Sequence, residues 1–206
     1  MGLMRGSASF TRFMVDGHLT PNYKKEFPGM ILRHGFRELD EHSDVETAAG
    51  WVNLMDPLDA QFQGQEYFKE GYIAMSLRVD VRRVPAKALR QHCLAAEREA
   101  KTRDKVTFLS KSRRQEIREQ TRWQLIKRVI PRSSTYDIVW DLARGLVLFA
   151  SLNTATRDLF VELFHKTFQL GLLPVFPYSL ASRHLGRLGA DLARLDGVQP
   201  SCLVRR

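Results

Sequence analysis

From Tyr72 to Val84 the apolar side chains Ile73, Met75, Leu77, Val79 and Val81 fall on alternate positions, and the run stops at Pro85. Alternation of period two puts all five on one face of an extended strand, so the fold has to supply a core that covers that face. Arg78, Asp80 and Arg82 take the other face. Pro85 then opens a helix, since a proline's missing N–H costs nothing in a first helical turn. The stretch behind it, Ala86–Lys101, is rich in Ala, Leu, Arg and Glu, all good helix formers.

A second helix follows after a short polar turn, Thr102–Ser110, with Ser110 or Ser112 placed to cap it. It is predicted to run from about Lys111 to Ile130 and to end before Pro131. Lys111, Arg114, Arg118 and Arg122 are three, four and four residues apart, which makes them one stripe along its first turns. Trp123, Ile126 and Ile130 share a different face and are expected to pack, while Leu125 and Val129 continue the line of the stripe. Two helices joined by a short turn make an αα-hairpin.

This hairpin is strongly basic. Residues 82–132 carry 16 Lys and Arg against 5 Asp and Glu, a net of +11, in a chain whose formal charge is +9. Residues 1–80 carry 8 against 12. Segregation of this kind points to a polyanionic partner, because clustered cations gain affinity by releasing counterions from phosphate. Lys111, Arg113, Arg114, Arg118, Arg122, Lys127, Arg128 and Arg132 are the candidate DNA contacts. Glu116 and Glu119 sit among them and spend part of the charge within the helix. Trp123 and Tyr136 flank the region and can stack on bases, although side chains of this kind more often belong to a core. No zinc-finger or helix-turn-helix pattern is present, so contact with the backbone without sequence preference is expected.

Elsewhere the elements are shorter. Phe10–Val15 reads as a strand before the Asp16-Gly17 turn, and Asn22–His34 as a short helix interrupted at Pro28-Gly29. A strand begins at Gly50-Trp51-Val52-Asn53 and closes at Asp56-Pro57, with 58–71 irregular. Thr135–Trp140 and Leu146–Ser151 form a hairpin about Arg144-Gly145. Asn153 or Thr154 caps a helix that runs to Gly171, with Leu159, Phe160, Leu163, Phe164 and Phe168 on one face. Pro174 and Pro177 confine a last strand, Leu172–Tyr178, to an edge. A weakly amphipathic segment and a basic tail complete 181–206.

Together these give an α+β fold: a mixed or antiparallel sheet packed with helices, plus an inserted basic helical-hairpin arm. The expected layout is one domain, with the sheet core at about 10–84 and 135–180, the arm at about 85–132 and the tail at 181–206.

Chemistry has little purchase here. No phosphate-binding glycine loop or H-E-x-x-H is present, and His18, His34, His42, His92, His165 and His184 lack partners at metal-binding spacing, so no metal or cofactor is expected. Cys93 and Cys202 read as reduced thiols of a cytoplasmic protein. The longest apolar run, Leu146–Ala150, is strand-sized, and Met1–Ser9 lacks the apolar core of a secretory signal. Asp80 with Glu99-Ala100-Lys101 matches the acidic–acidic–lysine pattern of metal-dependent nucleases. Glu99 and Lys101 are two apart on a helix and diverge, so the match is expected to be coincidence and the protein non-catalytic.

The order of these features resembles the bacterial RdgC family of recombination-associated DNA-binding proteins. The resemblance rests on Phe10–Val15, Gly50-Trp51-Val52, Val84-Pro85, the charged helix Lys111–Arg128 and its end Val129-Ile130-Pro131-Arg132. It extends to Trp140-Asp141, Arg144-Gly145-Leu146-Val147 and Leu172–Pro177, covering roughly residues 10–180. It implies binding of duplex DNA without strong sequence preference and modulation of RecA-dependent recombination by occupying DNA, in the cytoplasm at the nucleoid. It also implies a homodimer, in which family members form a ring with a positively charged hole. The family is sometimes labelled an exonuclease, yet it brings no established catalytic residues to carry over. Typical members continue past Pro174-Val175-Phe176-Pro177 with a further domain, so a short member with an open cleft is the expectation here.

Overall fold

The computed structural model describes residues 3, 9–40, 43–62, 66–189 and 191–198. Cys202, His42, the end of the basic tail and most of Met1–Ser9 lie outside the described residues. In chain order the elements are β1 (Thr11–Asp16), α1 (Tyr23–Arg33), β2 (Thr47–Val52), β3 (Phe68–Lys69), β4 (Tyr72–Val81), α2 (Ala86–Asp104) and α3 (Lys111–Ile126). There follow β5 (Arg132–Asp141), β6 (Leu146–Phe149), α4 (Thr154–Phe168), β7 (Gly171–Pro174), α5 (Pro177–Leu188) and α6 (Ala193–Asp196). Hydrogen-bonded strands follow the order β2-β4-β5-β6-β1-β7, with β3 beside β4. The ladders β1–β6, β1–β7, β2–β4, β3–β4 and β5–β6 are antiparallel. The fold is α+β.

Two compact units divide the chain, the first made of Met1–Arg33, Gly64–Met75 and Tyr136–Arg206, the second of His34–Gln63 and Ser76–Thr135. The first is built on aromatics. Phe149 stacks on Phe160 with centroids 4.2 Å apart and planes at 8°, and Trp140 meets Phe164 and Phe168 edge-on at 5.1 and 5.2 Å. Those phenylalanines recur at helical spacing along α4, whose start is capped by Asn153 accepting from the Thr156 N–H at 3.0 Å.

Here α4 stops at Phe168, short of the expected Gly171, with Gln169 in the left-handed region. Gly171 is already paired with Asp16 in the β1–β7 ladder, where a Cβ would stand 3.3 Å from the Asp16 Cβ. β7 also ends sooner than expected, at Pro174, because Pro177 opens α5 and takes Tyr178 into that helix. As Pro174 requires, β7 ends the strand order. α1 runs through Pro28 without interruption.

The second unit contains α2 and α3. β2 starts at Thr47 and pairs with the last six residues of β4, Trp51 opposite Leu77 and Gly50 opposite Arg78. On its other side β2 meets the chain at 34–36: Gly35 bridges Trp51 in parallel, with the Phe36 N–H donating to Trp51 O (2.9 Å) and the Trp51 N–H to His34 O (3.1 Å). The alternation along β4 holds from Ile73 to Val79, but the face expected to be polar is buried as well. Ser76 and Asp80 are enclosed, and past Asp80 the expected pattern inverts: Val81 is exposed while Arg82 is only 3% exposed. Arg82 is drawn inward by two backbone carbonyls, donating to Asp40 O at 2.8 Å and Leu39 O at 3.0 Å.

Candidate nucleic-acid interface

α2 and α3 form the expected αα-hairpin. α2 ends at Asp104, and the capping Lys105, with a φ of 52°, lies in the left-handed region and lets the chain reverse. Ser110 caps α3, accepting from the Arg113 N–H at 3.2 Å. Between the helices sits a small apolar clamp of Ala100, Leu109 and Ile117, with Ala96 packed against it. The two alanines let the helix backbones approach, and Leu109 ties the turn to both.

α3 ends at Ile126, four residues before the expected Ile130. Arg128 N–H donates to Leu125 O (2.9 Å) and Val129 N–H to Ile126 O (3.3 Å), a tighter i→i−3 turn that finishes the helix ahead of Pro131. The face expected to pack is therefore broken up: Ile126 is buried, but Trp123 is 51% exposed and Ile130 88%. Instead of a core contact, the Trp123 ring carries the Lys127 ammonium, 3.5 Å from its centroid. Tyr136 is half-buried beside Phe149, with centroids 6.0 Å apart.

Lys111, Arg114, Arg118 and Arg122 come together as a stripe lining one groove of about 820 Å³ along the hairpin. α2 supplies the opposite wall with Leu89, Arg90, Cys93 and Glu97. Five cations thus face a channel that also holds Glu97 and Glu119. Their engagements differ. Arg122 pairs with Glu46, and Arg114 donates through Nε and Nη2 to the Leu109 carbonyl at 3.2 and 3.1 Å. Among the described residues, Arg90, Lys111 and Arg118 make no ion pair or side-chain hydrogen bond, so their charge is available to a ligand.

The other four candidates lie elsewhere. Arg113 pairs with Glu116 at 2.6 Å, off the groove. Lys127 and Arg128 line a separate depression of about 490 Å³, with Arg78, Asp80, Arg82 and Ser133. Arg132, at the start of β5, is exposed and lines neither. Arg90 is the groove cation that the stripe alone does not identify. It becomes visible only once the register of α2 on α3 is known.

Asp80, Glu99 and Lys101 have separate surroundings. Both Asp80 oxygens are taken by Arg78, Nε to Oδ1 at 3.0 Å and Nη2 to Oδ2 at 2.8 Å, and the guanidinium lies 4.1 Å over the Phe36 ring. Burial alone would raise the Asp80 carboxyl, but the hydrogen bonds from Arg78 and Ser133 and the adjacent positive charge outweigh it and hold the group below its usual range. Glu99 and Lys101 flank the clamped Ala100 on α2, Glu99 about 20 Å along the helix from Ala86 at 1.5 Å per residue. Among the described residues no group of three or more His, Cys, Asp and Glu side chains is placed to hold a metal ion, and no helix is long and apolar enough to cross a membrane.

The Asp80–Arg78 pair makes a stability prediction. A depressed carboxylate contributes stability above its unfolded pKa of about 3.9, and that contribution is lost as pH falls through the lower folded value. Asp80→Asn leaves a nearly buried guanidinium unpaired and is expected to cost about 3–5 kcal/mol at pH 7. Urea melts of both proteins at pH 7 and near pH 3 check this. The gap should narrow at the lower pH, and equal gaps would mean the carboxylate is not held down.

A model of the family described as "Putative exonuclease, RdgC" matches residues 31–189 of the chain. No curated protein matches it.

Proposed function

The chain belongs to the RdgC family, and from that premise we propose that its basic arm binds DNA through the phosphate backbone, without sequence preference and with duplex favoured. The observation that carries this reading is the gathering of Arg90, Lys111, Arg114, Arg118 and Arg122 on a single groove. Arg grips phosphate as a planar fork and Lys adds a mobile point charge, so such a wall suits a polyanion whatever its base sequence. Occupying duplex in this way limits access by a RecA-type recombinase and thereby modulates recombination. The protein acts as a homodimer at the nucleoid. Its role in this reading is binding and not cleavage, which is supported by the pairing of Asp80, the first acid of the nuclease-like pattern, with Arg78.

Salt-titrated binding to matched single- and double-stranded oligonucleotides tests this, with mass measured in the same buffers. Duplex affinity should fall linearly on a log–log plot against salt, with the strands still full length after incubation with Mg²⁺ or Mn²⁺. Absence of binding at low salt, together with capture of an acidic protein, would turn the groove into a protein-docking surface.

A further inference from the structure

The turn between α2 and α3 holds an aromatic side chain that the described residues leave largely uncovered. Phe108 is 83% exposed, the most exposed aromatic among the described residues. It is held there by its neighbours. The Val106 N–H donates to Lys101 O at 3.1 Å, so the chain on one side is anchored to α2. On the other side Leu109 is buried in the clamp and its carbonyl takes both Arg114 hydrogen bonds, while Ser110 caps α3. A turn fixed on both flanks presents Phe108 outward and leaves most of its ring in solvent.

Its surroundings are cationic. Lys101, Arg103 and Lys105 precede it and Lys111 and Arg113 follow, with Asp104 the one acid in that stretch. Lys111 and Arg114, which line the groove, begin within six residues of it. An apolar ring framed by positive charge fits a ligand that has phosphates and flat apolar faces in alternation. A nucleic acid has both, and a purely acidic protein surface lacks the second.

We propose that Phe108 is the base-contacting side chain of the arm, stacking on or wedging between nucleobases at the end of the tract whose phosphates the groove holds. This rests on the nucleic-acid reading given above. In it the groove supplies charge without selectivity, and Phe108 supplies contact with the π-face that every base has. Arg114 then serves as a positioning residue, holding the Leu109 carbonyl and with it the turn.

The test uses the full chain, Phe108→Ala and Phe108→Trp, with oligonucleotides carrying 2-aminopurine in single-stranded and duplex form. Wild type should change the 2-aminopurine emission on binding. Phe108→Ala should abolish that change and weaken binding roughly tenfold, as one lost base stack predicts. Its salt slope and thermal melt should stay as in wild type, and Phe108→Trp should restore signal and affinity. A signal confined to the duplex identifies a wedge between base pairs, and one confined to the single strand identifies stacking on an unpaired base. Wild-type affinity and emission in Phe108→Ala, with a normal salt slope, overturn this inference and leave the groove standing. So does a Phe108→Ala defect that follows a loss of mass in solution, since the ring would then be a contact between two copies. Absence of any binding by wild type overturns both.

Discussion

Replacing Arg90, Lys111 and Arg118 together by glutamine is expected to flatten the salt dependence of duplex binding by about 2.7 in log–log slope, at about 0.9 for each phosphate released. Between 50 and 200 mM salt, a fourfold change, wild type should then lose about fortyfold more affinity than the variant does. These three are chosen because they line the groove and have no described ion pair or side-chain hydrogen bond. Their loss should leave the thermal melt within a degree or two, as for surface substitutions worth less than about 0.5 kcal/mol. Arg114 and Arg122 make poorer probes. Removing the first frees the Leu109 carbonyl and removing the second strands Glu46, so a weakened complex could reflect a disturbed arm. If slope and affinity survive the triple change, the groove is not where DNA lies.

Gly50→Ala should be the most damaging small substitution in the second unit. A Cβ at Gly50 would stand 2.4 Å from the Phe36 Cα, 2.5 Å from its nitrogen and 2.8 Å from the Gly35 carbonyl carbon. All three are backbone atoms, so no rotamer change relieves the clash. The segment must retreat from β2, which breaks the hydrogen bonds joining Phe36 and His34 to Trp51. Phe36 also carries the Arg78 guanidinium, so the Arg78–Asp80 pair loses its lid in the same movement. Overpacking usually costs about 1–3 kcal/mol, and the lost hydrogen bonds bring the expected total to at least about 3 kcal/mol. Urea unfolding at pH 7 measures it. A variant within about 0.5 kcal/mol of wild type would show that 34–36 moves aside freely.

What the sequence reveals depends on how local the cause is. The strand at Tyr72–Val81, the hairpin of β5 and β6 and the two arm helices follow from periodicity, turn residues and caps, all set by neighbours within a few positions. The stripe of Lys111, Arg114, Arg118 and Arg122 was legible for the same reason. Arg90 was not, because its side of α2 meets the groove only through the packing of Ala96 and Ala100 on Leu109 and Ile117, a contact between separate segments. Arg82 reads as solvent-facing by alternation, and its burial is decided by carbonyls some forty residues earlier. Trp123 and Ile130 pattern as core yet stay exposed, since the helix tightens and ends between them. Gly50 stands out only as part of a motif; the close approach of 35–36 that demands a glycine leaves no mark on its neighbours.

The apolar clamp of the hairpin has a thermodynamic side. Four side chains, two of them alanines, hold α2 to α3 through a contact far smaller than the aromatic core of the first unit. Opening free energy scales with the apolar contact that opening must break, so the α2 and α3 amides are expected to exchange with solvent before those of β1 and β6. A polyanion bound along both helices holds them shut, and the protection gained by the α2 and α3 amides then reads the binding free energy without any label on the ligand.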